Sequence, residues 1–121
     1  MIVALKDVAA VVTQSLLAEL SRRREGPARA AARFRARGLR RRPRSARSSA
    51  QLRWLIDAVD RRLPGGSNCY RRALVEMALD RTAAQQPLHM GLVRGGGSAS
   101  GHAWLGDRRE PEARYDVELA L

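Results

Sequence analysis

The chain has 121 residues, 45% of them hydrophobic, a formal net charge of +11 and a single cysteine. This length suits one domain with a small core; one cysteine excludes an internal disulfide framework, and no apolar run approaches the roughly 20 residues a membrane-spanning helix needs. The basicity is local: between Arg22 and Arg47 twelve arginines face one acid, Glu25, and outside that window acids and bases balance.

The start lacks the basic-then-apolar order of a secretory signal, so a soluble, cytoplasmic protein is expected. Residues 2–24 read as a helix. Its apolar stripe is taken as Leu5, Val8, Val12, Leu16 and Leu20, at three- and four-residue spacing, and Gly26-Pro27 ends it. Residues 25–48 are rich in Arg and Ala. Ala28 to Ala36 has helical character, but Gly38, Pro43 and the serines beyond argue for a mobile connection. Phe34 is its one aromatic residue.

A second helix is predicted from Ser48 or Ser49 to Arg62, with Leu52, Leu55, Ile56, Val59 and Leu63 as its stripe and Pro64-Gly65-Gly66 as its stop. A third has Ser67 or Asn68 as its cap and Cys69 in its first turn, and runs on to Thr82 with Ala73, Leu74, Met77 and Ala78 inward. Three short strands follow, Pro87–Arg94, Gly101–Gly106 and Arg114–Ala120, the first two joined by Gly95-Gly96-Gly97-Ser98. Helices followed by a small antiparallel sheet make an α+β pattern in a single domain, 1–121. It is divided into an N-terminal helix (1–24), an Arg-rich connector (25–48) and a core (49–121).

Cys69, His102 and Asp116 carry the chemical signal. A cysteine in the first turn of a helix meets the positive end of the dipole, and Arg71 and Arg72 beside it favour the thiolate. His102, on a strand, is placed to move a proton. Asp116, expected on the neighbouring strand, is placed to orient the imidazole. Asp107 competes for that last role, although its position after Gly106 suggests a solvated strand end. His89 reads as a surface strand residue. A lone cysteine is also commonly a small buried hydrophobe. No His/Cys group has zinc spacing, so neither a metal nor a cofactor is expected.

The segments Cys69-Tyr70-Arg71-Arg72-Ala73-Leu74, Leu88-His89-Met90-Gly91-Leu92-Val93-Arg94 and Gly101-His102-Ala103-Trp104 carry a resemblance. Together they are similar to the transglutaminase-like cysteine peptidases of lasso-peptide biosynthesis, the leader peptidases that form the protease half of a split B protein. The resemblance covers most of the chain and is most specific from Pro64 to Trp104. It implies a papain/transglutaminase-like core in which Cys69 matches the nucleophile, His102 the base and Asp116 the aspartate. It also implies a precursor peptide as substrate and an asparagine-synthetase-like cyclase as a neighbour. Because nothing ahead of Cys69 reads as a leader-binding domain, it further implies a separate leader-recognition protein.

Two other functions stay open on sequence alone. The same thioester serves a transglutaminase-type acyl transfer to an amine. The Arg22–Arg47 segment also suits a nucleic-acid or anionic-membrane arm, although Phe34 alone is available for stacking and no DNA- or RNA-binding signature is present.

Overall fold

The structure, a computed structural model, describes residues 4–95, 98–108, 115 and 117–121. Among these, five helices precede a three-stranded antiparallel sheet, which is the expected α+β order with two more helices than the sequence suggested. No helix among the described residues is long and apolar enough to cross a membrane.

Helix α1 (Leu5–Arg24) forms where expected but presents a different face. Val11, Ser15, Ala18 and Ser21 point inward, while Leu5, Val12, Leu16 and Leu20 are exposed together with Leu17. Of the expected stripe, only Val8 packs against the core. The reason is steric. Alanine and serine let α1 settle close on its neighbours, and leucines on that face would hold it away.

The Arg-rich stretch is no loose connection. Helix α2 (Pro27–Leu39) begins with Pro27 at its first position, where the missing N–H is harmless, and buries Ala30, Ala31, Phe34 and Gly38. Gly38, which argued against a helix, is the reason this helix fits. A Cβ there would lie 1.7 Å from the Met77 carbonyl oxygen. Several arginines of the segment are structural. Arg35 donates to the carbonyls of Ala84, Gln86 and Leu121 at 3.0, 3.0 and 2.9 Å, and so ties α2 to the end of the chain. Arg44 reaches the Leu79 carbonyl at 3.1 Å and Asp7 at 3.2 Å. Arg37 lies 4.5 Å over the Phe34 ring.

Helix α3 (Ala46–Asp60) starts earlier than expected because Ser45, not Ser48 or Ser49, is its cap: its hydroxyl accepts from the Ser48 N–H at 3.1 Å. Leu52, Leu55 and Ile56 are buried as predicted. Gly65 and Gly66, with φ of 87° and 75°, turn the chain back in a conformation that favours glycine. The third predicted helix is two. Helix α4 (Cys69–Leu79) is capped by Asn68, and Asp80 breaks it and caps the short α5 (Arg81–Ala84) by accepting from the Thr82 N–H at 3.0 Å. From Ala73 to Leu79 every residue of α4 is buried, which makes it the central helix.

Strands β1 (Leu88–Gly95), β2 (Ser98–Leu105) and β3 (Val117–Ala120) lie in the order β2-β1-β3. The expectation that the strands of His102 and Asp116 are neighbours is therefore corrected. The central strand, β1, separates β2 from β3, and the outer edge of β2 is occupied by the start of α4, through an Ala103 N–H bond to the Cys69 sulfur. Leu88, Ala103 and Leu105 join the core beside Leu74 and Met77. His89, Gly91, His102 and Trp104 alternate onto the other face. Asp116 lies outside the described residues, as do Gly96, Gly97 and Arg109 to Arg114 of the expected connections.

Candidate active site

The position of Cys69 is built by a short stretch of sequence. The Gly65-Gly66 turn returns the chain, Asn68 Oδ1 accepts from the Arg71 N–H at 2.9 Å, and Cys69 becomes the first residue of α4. Beneath it lies a buried charge cluster. Asp60, at the end of α3, accepts from the Asn68 N–H at 2.8 Å and from the Arg71 guanidinium. Arg71 is 1% exposed and also donates to Glu19 at 2.7 Å, to the Gly66 carbonyl at 2.7 Å and to the Asp60 carbonyl at 3.1 Å. Arg71 is thus spent on holding α1, α3 and the glycine turn together. It does not serve the thiol as the sequence suggested. Glu19 is held at about 2, chiefly by its bonds with Arg22, then Arg71 and Arg23, against the opposing effect of burial.

The thiol meets the sheet at the outer edge of β2. The Ala103 N–H, on the outer side of β2, donates to Cys69 Sγ at 3.3 Å. His102 is the preceding residue, and Cys69 and His102 together line two adjoining cavities. Because β2 is an edge strand, its alternating side chains leave both faces next to the same sulfur. The Cys69 and Tyr70 backbone N–H groups have no hydrogen-bond partner among the described residues, as expected for the first turn of a helix. Such donors, at the positive end of the helix dipole, suit an oxyanion.

The imidazole is braced by rings. His102 stacks on Trp104 at 5.9 Å between centroids, and Trp104 stacks on His89 at 5.4 Å and on Tyr115 at 5.3 Å. The register places His102 opposite Gly91 and Gly91 opposite Glu118, so the row between the histidine and β3 has a glycine at its centre. The Tyr115 ring fills that gap: a Cβ on Gly91 would come within 2.4 Å of it. Neither Gly91 nor Tyr115 was singled out from the sequence as a site residue. The available signal was a glycine inside a strand, which often marks the close approach of another group.

The cavities form a cleft across the thiol. One, of about 390 Å³, is mostly apolar beyond Cys69, with Tyr70, Met90, Leu92 and Gly101. Burial pushes the Tyr70 phenol up, with Glu25 adding to the effect. The other, of about 200 Å³, holds Arg72, Glu76, Trp104 and Arg108 beside Cys69 and His102. Glu76 and Arg108 also line a third cavity, of about 470 Å³, with Arg44, Arg53, Asp80 and Asp107. Asp107 is exposed and lines that outer cavity rather than the one holding His102. His89 is half-buried in the ring stack and is not a free surface residue. Among the described residues no group of three or more His, Cys, Asp or Glu is arranged to hold a metal ion.

A cysteine at a helix start, against an edge strand that carries a histidine, is the residue pairing that thiol hydrolases and acyltransferases use. The chain belongs to the transglutaminase-like superfamily, whose model matches residues 12–115. No curated protein and no solved structure matches it. This membership fits cysteine peptidase or acyltransferase activity.

Proposed function

We propose that the protein is a cysteine peptidase that removes the leader from a ribosomally made precursor of the lasso-peptide type. The observation that carries the reading is the contact of the Cys69 sulfur with the outer edge of β2, one residue from His102, in a cleft open on both sides of the thiol. A cleft of this form suits an extended chain passing over the nucleophile.

In this reading the Cys69 thiolate attacks the scissile carbonyl carbon, and the oxyanion is received by the first-turn N–H groups of α4. The C–N bond breaks as protonated His102 gives its proton to the departing amine, which leaves a thioester. His102 then takes a proton from water, the hydroxide adds to the thioester carbonyl, and the C–S bond breaks to release a carboxylic acid and restore the Cys69 thiolate beside protonated His102. Asp116, next to the first residue of β3, holds the imidazole in the productive tautomer. The support for that role is its sequence position and the resemblance. A separate leader-recognition protein delivers the precursor, and an asparagine-synthetase-like cyclase takes the product.

The test is mass spectrometry of the precursor peptide after incubation with the protein, with and without the recognition protein. Two fragments whose masses sum to the precursor plus one water support the reading. A fragment joined to an amine assigns the site to acyl transfer instead. Cleavage that persists in Cys69→Ala refutes the mechanism, and an unchanged rate in Asp116→Asn removes that residue from it.

A further inference from the structure

The two sides of the cleft differ in charge. On the Tyr70–Met90–Leu92 side the one arginine among the described residues is Arg22, which is already bound to Glu19. Among the described residues, the other side holds two guanidinium groups, Arg72 and Arg108, against one carboxylate, Glu76, and so carries one positive charge in excess.

The excess lies on Arg72. Glu76 is matched by Arg108, whose two terminal nitrogens reach its two oxygens at 3.0 and 2.9 Å. Asp60 is matched by the buried Arg71, which is fully engaged. Arg72 touches Asp60 through one nitrogen at 3.3 Å, the longest of the arginine–carboxylate bonds around Asp60, Glu76 and Arg71. Nε and the second terminal nitrogen have no partner among the described residues, and the side chain is 31% exposed. An arginine in that state offers a planar fork of donors suited to a carboxylate.

We propose that the cavity bounded by Cys69, Arg72 and Arg108 is a subsite for an acidic side chain, Asp or Glu, of the peptide substrate at a position flanking the scissile bond, and that Arg72 selects it. The inference rests on the peptidase reading and names the substrate chemistry of that same cleft. The substrate segment is then amphipathic: an apolar side chain lies over Tyr70, Met90 and Leu92, and a carboxylate lies toward Arg72. Glu76, paired on both oxygens, sets the floor of the subsite. A lysine in the same place meets two guanidinium groups and is disfavoured.

The experiment uses the full chain, the recognition protein and a library of precursor peptides randomised at the positions flanking the cut site, with products read by mass spectrometry. One cut peptide is then remade with Glu, Gln or Lys at the position of acid preference. A Glu-over-Gln ratio in kcat/KM of about 10- to 100-fold is expected, carried by KM, as for a charge-assisted pair. In Arg72→Gln the ratio falls to near one, in Arg72→Lys it is partly kept, and in Arg72→Glu the order inverts in favour of the Lys peptide. A merely structural arginine does not invert a preference. Should the variants fail to fold, the wild-type ratio itself decides, because an ionic subsite weakens steeply toward ~0.5 M salt. A library cut without acid preference, or a preference indifferent to salt and to Arg72, overturns the subsite and leaves the peptidase reading standing. A library left uncut overturns the peptidase reading and the subsite with it.

Discussion

Replacing Asp60 with alanine tests the element that sets the position of Cys69. Asp60 is 1% exposed and its carboxylate accepts from the Arg71 guanidinium, the Asn68 N–H and Arg72. Its loss leaves Arg71, also 1% exposed, with Glu19 as its remaining acidic partner. Removing one member of a buried ion pair costs about 3–5 kcal/mol, and the surviving Glu19 contact places Asp60→Ala near the lower end, about 3 kcal/mol. That is a large share of the roughly 5–15 kcal/mol that stabilises a domain, and corresponds to a fall in Tm of about 10–15 °C at this size. The assay is urea unfolding followed by circular dichroism, with the slope m unchanged and the midpoint lowered. Asp57→Ala, on the same helix but with a side chain 50% exposed and a 3.8 Å ion pair, is the control and stays within about 0.5 kcal/mol of wild type. An Asp60→Ala protein within about 1 kcal/mol of wild type refutes the argument that this cluster holds the start of α4.

Gly38→Ala brings a methyl group into the Met77 carbonyl and forces α2 from α4. A loss of at least about 3 kcal/mol in the same assay is expected, although alanine is the better helix former. Leu16→Ser, on the exposed face of α1, changes stability by less than about 0.5 kcal/mol, whereas burial of that leucine would have made it one of the costliest changes in the helix. Glu19 has its pKa lowered from 4.5 to about 2 in the folded protein, so its stabilisation is full above the unfolded value and is lost as pH falls through about 2. Solvent screening at the exposed Arg22 and Arg23 keeps the contribution below the full value of the shift, and Glu19→Gln removes that part of the acid-induced loss between pH 4.5 and 2, measured by unfolding as a function of pH.

Local chemistry made part of the site legible. Gly65-Gly66 turns, Asn68 caps, and Cys69 opens a helix because each of these acts within a few residues. The alternation that puts His102 and Trp104 on one face and Ala103 and Leu105 on the other is likewise local, and the register confirms it. Other features depend on distant residues. Arg71 looked like an activator of its sequence neighbour Cys69, but its partners, Asp60 and Glu19, are 11 and 52 positions away. Glycine at 38 weakened the helical reading of α2 because its benefit lies in a carbonyl of α4. The inward face of α1 was misread because hydrophobicity ranks leucine above serine, and close helix packing reversed that order. The strand order was misread because a hairpin between the last two strands is the simplest local connection, and α4 already occupies the edge it would need.

By itself, the sequence placed α1, most of α3, the start of α4, the three strands and the order Cys, His, Asp, because backbone conformation and side-chain periodicity are set by near neighbours. The tertiary structure decided which face of α1 is buried, which strand lies at the edge, and that a sulfur and an imidazole 33 residues apart share one cleft. Those outcomes come from steric fit and charge pairing between distant segments, which no short stretch of the chain contains.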